Sequence, residues 1–154
     1  MTSTTPTPNH GPELLDERSV TGIVVHPLAF LTGGLLAIPI YLVSSHEYTR
    51  ANARNALNWY LSVVLLTVVS FTVFFLGADE MTVGGEPVEW SLLPEPFHTI
   101  VGFVGILLLL PTILAWMATL LFAVVATIKA IFGTAWEYPF ARRLVGSDTE
   151  TGTR

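Results

Sequence analysis

The sequence predicts an all-α integral membrane protein with three transmembrane helices, a long third helix and a disordered N-terminal tail. Only 12% of the 154 residues are charged, whereas soluble domains usually carry about 25%. The charges are also clustered, because residues 55–78 and 96–128 contain no Asp, Glu, Lys or Arg. A transmembrane helix needs about 20 mostly apolar residues to cross a hydrocarbon layer about 30 Å thick. Both stretches are therefore long enough to span a membrane.

The first part of the chain combines a polar tail with an interrupted apolar run. Residues 1–20 begin MTSTTPTPNHGP, a composition without periodicity that predicts a disordered tail. The acidic residues that follow do not suit the basic start of a secretory signal. The first span is predicted at about 22–45, and both a kinked transmembrane helix and a re-entrant segment fit it. Its possible kinks or breaks are Pro27, Gly33, Gly34 and Pro39.

Two longer spans follow, separated by an acidic loop. The second is predicted at about 55–77, within a helix that begins near Thr49. The third is predicted at about 98–128, because a split at Pro111 would leave a first half too short to cross. The loop at 78–96 contains five acidic residues, no Lys or Arg, and the pair Gly84-Gly85, which indicates solvated turns. These elements form one membrane domain at 21–145, and residues 146–154 are predicted as a second disordered tail.

The positions of Lys and Arg predict the orientation. Basic residues close to the ends of membrane spans favour the cytoplasmic side. They occur before the second span and after the third, as Arg50, Arg54, Lys129, Arg142 and Arg143. This distribution predicts a multi-pass plasma membrane protein with a cytoplasmic C-terminus. With three spans, the N-terminus and the acidic loop would lie outside.

A polar stripe on the second helix is the first candidate site. At about 100° per residue, its members fall within one face roughly 140° wide. They can be the end of a helix that leaves the bilayer, or they can line a crevice that binds a partner or solute. The stripe consists of Arg50, Arg54, Asn55, Asn58 and Ser62.

Small residues recur every fourth position in the third helix, as Ala115, Thr119, Ala123 and Thr127. Such a stripe allows another helix to pack closely, within the chain, in a homo-oligomer or in a membrane complex. Beyond it, Gly133 is a suitable residue to end the helix. Lys129, Arg142 and Arg143 are predicted to contact anionic headgroups of the lipid bilayer.

The sequence offers no recognisable catalytic motif. It has no Cys, and its four His show no metal-ligand spacing. His26 lies in an apolar run without an intramembrane carboxylate, which favours a hydrogen-bonded histidine over a proton relay or metal ligand. Phosphate-binding loops, zinc motifs and serine nucleophile motifs do not occur. We therefore expect no enzyme activity, cofactor, metal or nucleic-acid partner.

Two local patterns suggest a family. They are the block NARNALNW at 52–59 and a second set after the third span, comprising Ala130, Gly133, Trp136, Tyr138, Pro139, Arg143 and Leu144. Over residues 20–145, the chain resembles a small prokaryotic membrane family of unknown function. That family is grouped with the Tic-twenty component of the chloroplast inner-envelope translocon. The resemblance implies an uncharacterised membrane protein with a role in protein translocation or membrane-complex assembly. A small oligomeric solute or ion transporter that uses the polar stripe is the alternative.

Overall fold

The computed structural model describes residues 18–146. The predicted tails at 1–20 and 146–154 lie almost entirely outside these residues and stay predictions. The described residues form four helices and a two-stranded hairpin: α1 (Val20–Thr32), α2 (Ala37–Val43), α3 (Glu47–Leu76), β1 (Glu80–Val83), β2 (Glu86–Glu89) and α4 (Phe97–Ile131). They divide into two compact units. The terminal unit contains the chain up to residue 60 and from residue 120 onward, and the central unit contains residues 61–119.

Two of these helices, α3 and α4, are long and apolar enough to cross a membrane. They contain 30 and 35 residues, or about 45 and 52 Å at 1.5 Å per residue. Leu, Val, Ile and Phe side chains along both helices are exposed, as expected where lipid is the solvent. The predicted helical class is confirmed, with two helices of a length and composition that suit a membrane, but the count of three transmembrane helices is not confirmed.

The first apolar segment forms two short helices rather than one kinked helix over 22–45. Helix α1 continues through Pro27 and ends at Thr32 with Gly33 as its C-cap, and α2 begins three residues after Gly34. The two glycines have φ values of +62° and +88°, which glycine adopts without the steric cost of a Cβ. The break therefore comes from the glycine pair and not from Pro27.

The beginning of α1 lies beside the beginning of α3 and the end of α4. The hydroxyls of Ser19 and Thr49 share a hydrogen bond, and the Arg18 guanidinium donates to the Ile131 carbonyl at 2.9 Å. The predicted orientation had placed residue 18 at the opposite end from these residues. That arrangement is not observed, because the turn at Gly33-Gly34 lets the segment fold back.

The acidic loop contains a short antiparallel hairpin that the turn pattern alone did not predict. Glu80 pairs with Glu89, and Val83 pairs with Glu86 across the Gly84-Gly85 turn. Both turn glycines have positive φ, which is the geometry of tight hairpin turns.

The central unit also contains a very close approach between α4 and the residue that follows α3. A Cβ built on Gly77 would lie 2.0 Å from the Gly102 nitrogen, so only glycine fits there. Farther along the same helices, the hydroxyls of Ser70 and Thr112 share a hydrogen bond of 2.7 Å. Small residues and buried hydroxyls are the usual means by which membrane helices associate.

Candidate functional site

A row of three asparagines on α3 organises the polar interior of the terminal unit. We call Asn52, Asn55 and Asn58 the asparagine row. Their spacing of three residues places them on one side of a helix that turns 100° per residue. All three are buried. Buried amides require hydrogen-bond partners, and each member of the row has them.

Asn52 belongs to a chain of hydrogen bonds through His26. Its Oδ1 lies 2.9 Å from His26 Nε2, and its Nδ2 donates to the Tyr48 carbonyl at 2.9 Å. His26 is 1% exposed, and its Nδ1 lies 2.9 Å from the Tyr138 hydroxyl. A neutral imidazole has one donor and one acceptor, so Nε2–H donates to Asn52 and Nδ1 accepts from Tyr138.

Tyr138 is the hydrogen-bond donor at the other end of this series of hydrogen bonds. Burial raises the pKa of its phenol above the ordinary value, and the nearby Tyr60 raises it further. The phenol therefore stays protonated and donates a hydrogen bond to His26 Nδ1. With both ring nitrogens occupied, His26 is a hydrogen-bonded histidine, which agrees with the favoured interpretation of the sequence.

Asn55 and Asn58 bind the segment that follows α4. Asn55 Nδ2 donates to the Trp136 carbonyl at 3.1 Å. Asn58 Oδ1 accepts from the amides of Leu144 and Val145 at 3.0 and 2.7 Å, while its Nδ2 donates to the Val145 carbonyl at 3.3 Å. We call residues 132–146 the docked tail, because these bonds fix it along α3.

An aromatic cluster supports the same docking. The rings of Trp59 and Tyr138 stack with centroids 5.8 Å apart and an interplanar angle of 14°. Phe122 packs edge-on against Trp59 at 4.8 Å and against Trp136 at 5.8 Å. Aromatic pairs at such distances contribute about 0.5–1.5 kcal/mol each beyond the area they bury. The docked tail therefore has apolar as well as polar contacts.

The predicted polar stripe is divided between different environments. Asn55 and Asn58 bind the docked tail, whereas Arg50 is exposed and lies 5.2 Å from the centre of the Tyr41 ring. Arg54 is half-buried and contacts the Gly146 carbonyl at 3.5 Å. Ser62 is half-buried in the central unit. The asparagines thus have internal partners, and Arg54, Asn55 and Asn58 also line a cavity beside the docked tail. Binding of a partner or solute by the stripe stays a prediction.

The four members of the small-residue stripe on α4 differ in burial. Thr119 and Ala123 are buried, and Ala115 and Thr127 are half-buried. Their packing role stays a prediction.

Lys129, Arg142 and Arg143 are all exposed, and Arg143 pairs with Glu137 at 3.0 Å. Contact with headgroups likewise stays a prediction.

Sequence reasoning missed the partnership of Asn52, His26 and Tyr138. Asn52 and Tyr138 lay in the two blocks that suggested a family, but their separation of 86 positions gave no sign of contact. The only available signal was an unpaired polar residue, His26, inside an apolar run. Such a residue needs a partner from another segment, and the sequence cannot say which.

The acidic hairpin is the second candidate site, and we define it as residues 79–95 in the central unit. Its five acidic residues are Asp79, Glu80, Glu86, Glu89 and Glu95, all of them exposed. His98 Nε2 lies 3.2 Å from Glu95 and 4.0 Å from Asp79, which ties the base of the hairpin to the start of α4. The three remaining glutamates lie on or beside the strands.

The helices and the two sites define a small membrane protein with a hydrogen-bonded interior in the terminal unit and an exposed acidic hairpin in the central unit. Within residues 18–146, no group of three His, Cys, Asp or Glu side chains could hold a metal ion. The chain belongs to the magnetosome magnetite crystal formation protein family (MamF/MmsF), whose model matches residues 17–145. Comparison with curated proteins and with solved structures gives no match.

This membership corrects the resemblance inferred from the sequence. The match covers nearly the whole membrane region and assigns it to a magnetosome membrane family, not to a Tic-twenty-like one. The two local patterns, which are not catalytic, were insufficient to distinguish membrane families. A role in protein translocation loses its support with the resemblance, whereas the assignment to a membrane protein holds. The absence of enzyme activity stays a prediction.

Proposed function

We propose that this protein acts in magnetite crystal formation from within the magnetosome membrane, and that its acidic hairpin contacts iron ions or the iron oxide surface. The observation that carries the proposal is the charge distribution along the two long helices. From residue 55 to residue 128 the chain contains no Lys or Arg, and all of its acidic residues in that range lie in the hairpin. The choice of magnetite as the mineral rests on family membership.

Carboxylate oxygens are suitable ligands for iron. Hard cations prefer oxygen ligands, and their binding strengthens as the number of carboxylates rises. Glu80 and Glu89 are directly opposed in the hairpin, where Cβ atoms lie about 5 Å apart. Like charges in such positions destabilise a hairpin, so a cation bound beside them would relieve their repulsion.

The hairpin suits a surface better than a single ion. Its carboxylates are exposed, and no metal-holding group of three occurs in the described range. An array of separate carboxylates can instead contact several iron atoms of a mineral face, with affinity arising from many weak contacts. The protein would thereby hold the membrane against the growing crystal.

The helices separate this surface from the basic end of the chain. Arg50 and Arg54 lie in the first turns of α3, and Leu76 at its other end leads to the hairpin. The charge-free part of α3, residues 55–76, extends about 33 Å, which is sufficient to cross the hydrocarbon layer. The acidic hairpin and the arginines therefore belong on opposite sides of the membrane, with the hairpin facing the mineral.

The test is binding of magnetite particles by the whole protein in lipid nanodiscs. The variant combines Glu80→Gln, Glu86→Gln and Glu89→Gln, which leaves Asp79 and Glu95 beside His98. We expect this variant to lose most of the binding shown by the natural protein. A matched control, Arg142→Gln with Arg143→Gln, changes charge at the other end and should bind as the natural protein does. Equal binding by the glutamine variant and the natural protein would refute the proposal.

A further inference from the structure

Both ends of the first apolar segment lie at the same end of the terminal unit. Ser19 and Thr49 share a hydrogen bond, and Arg18 bonds to the Ile131 carbonyl. At the other end of the segment, only residues 44–46 separate α2 from α3. The first apolar segment thus begins and ends at the same level along α3.

The turn between α1 and α2 reaches only a short distance along α3. A Cβ on Gly34 would lie 2.6 Å from the Tyr60 Cβ, so the turn is in close contact with Tyr60. Tyr60 is six residues beyond Arg54, which is about 9 Å along a helix. Half of a hydrocarbon layer is about 15 Å. If Arg54 marks the headgroup level, the turn ends within the nearer leaflet.

Contacts with α4 give a similar depth. Pro27 and Phe30 line a shallow apolar surface cleft together with Leu120 and Ile128. Leu120 is nine residues before Lys129, or about 14 Å along the helix. Two helices thus independently limit how far the segment extends from the basic end.

The turn pairs its backbone amides internally, as suits a turn within hydrocarbon. The Gly34 amide donates to the Ala29 carbonyl at 2.7 Å, and the Leu35 amide donates to the Thr32 carbonyl at 3.3 Å. The Leu36 amide donates to the Thr32 hydroxyl at 3.2 Å. These bonds lower the cost of placing the amides of the turn in lipid.

The outer surface of the segment is apolar. Leu31, Leu35, Leu42 and Val43 are 77%, 67%, 72% and 84% exposed, and residues 19–46 contain no Asp, Glu, Lys or Arg. Exposed side chains of this kind, next to two long apolar helices, require acyl chains as their solvent.

We propose that residues 20–43 form a re-entrant helical hairpin that contacts the acyl chains of a single leaflet, the one on the side of Arg50, Arg54 and Lys129. The chain then crosses the membrane twice, and Arg18 lies on the same side as the docked tail. This inference does not depend on the proposed role in magnetite formation, because it concerns the opposite end of α3.

The test uses the absence of native Cys. Single variants Arg18→Cys, Thr134→Cys and Ser91→Cys, all at exposed positions, are reacted with a membrane-impermeant maleimide in sealed, oriented proteoliposomes. We expect positions 18 and 134 to react from one side and position 91 only from the other. Reaction of position 18 from the side of position 91 would show a complete crossing and overturn the proposal.

A second measurement tests the depth of the turn. Nitroxide labels at Leu42→Cys, Leu35→Cys and Val64→Cys, all at exposed positions, report depth through their collisions with oxygen and with a water-soluble nickel chelate. Val64 is ten residues beyond Arg54, about 15 Å and so close to the bilayer centre. The label at position 35 should be deeper than that at 42 but shallower than that at 64. A label at 35 that is deeper than the one at 64 would contradict a one-leaflet hairpin.

Discussion

Asn58→Ala should release the docked tail. Asn58 makes three hydrogen bonds to Leu144 and Val145, at 2.7, 3.0 and 3.3 Å. Each hydrogen bond contributes about 0.5–1.5 kcal/mol, so the loss of all three destabilises docking by about 1.5–4.5 kcal/mol. At 1.4 kcal/mol per factor of ten, the equilibrium between docked and released tail shifts by a factor of about 10 to 1,500.

Trypsin cleavage in detergent measures this shift. Arg142 and Arg143 lie within the docked tail, and cleavage there follows the population of the released state when docking is fast. We expect cleavage of Asn58→Ala to accelerate by about the same factor. Thr72→Ala, at an exposed position of α3, is the control and should be cleaved as slowly as the natural protein. An unchanged rate for Asn58→Ala would refute the assignment of Asn58 as the residue that fixes the tail.

Two further substitutions test the interiors of the units separately. His26→Phe preserves much of the side-chain volume but leaves the buried Asn52 Oδ1 without its donor, which should reduce the free energy of unfolding by about 1–3 kcal/mol; an unchanged thermal midpoint in detergent would contradict this role. Gly77→Leu would place a side chain against the Gly102 backbone and should greatly reduce the yield of folded protein. Gly84→Asn is the control, because Gly84 occupies an open turn position with a positive φ that asparagine tolerates. The yield of this variant should be unchanged. Equal losses of yield for the two glycine variants would argue against the close approach between Gly77 and Gly102.

The two long helices could be predicted from the sequence because their signal is local. Residues 55–78 and 96–128 are free of charge, and a stretch of that length has few alternatives to a helix in lipid. The structure gives α3 as Glu47–Leu76 and α4 as Phe97–Ile131, close to the predicted bounds. Gly133 follows the end of α4 with φ of +79°, as the sequence predicted.

The first segment could not be resolved in the same way. Pro27 and Gly33-Gly34 are all possible breaks, and the choice depends on contacts with distant residues. The turn forms where Gly34 meets Tyr60, a contact across 26 positions that no local pattern encodes. The predicted first crossing and external N-terminus treat this run as one helix; the structure divides it into two, and the orientation stays a prediction.

The candidate sites show the same division between local and distant information. The acidic hairpin was visible as five carboxylates without a basic residue, although its strand pairing was not. The asparagine row was only partly recognised, because its role depends on a tail more than 80 positions away. The sequence presented Asn55 and Asn58 as part of a possible crevice; the structure adds their bonds to the docked tail, and the crevice stays a prediction.

We propose that the mineral-binding surface, the acidic hairpin, lies on one side of the membrane only. This proposal is tested most directly with proteoliposomes separated by orientation, using reaction of Ser91→Cys with an impermeant maleimide to identify vesicles that display the hairpin. Magnetite particles should bind those vesicles and not the ones that display Thr134 instead. Equal binding to both orientations, or preferential binding to the basic side, would contradict the account.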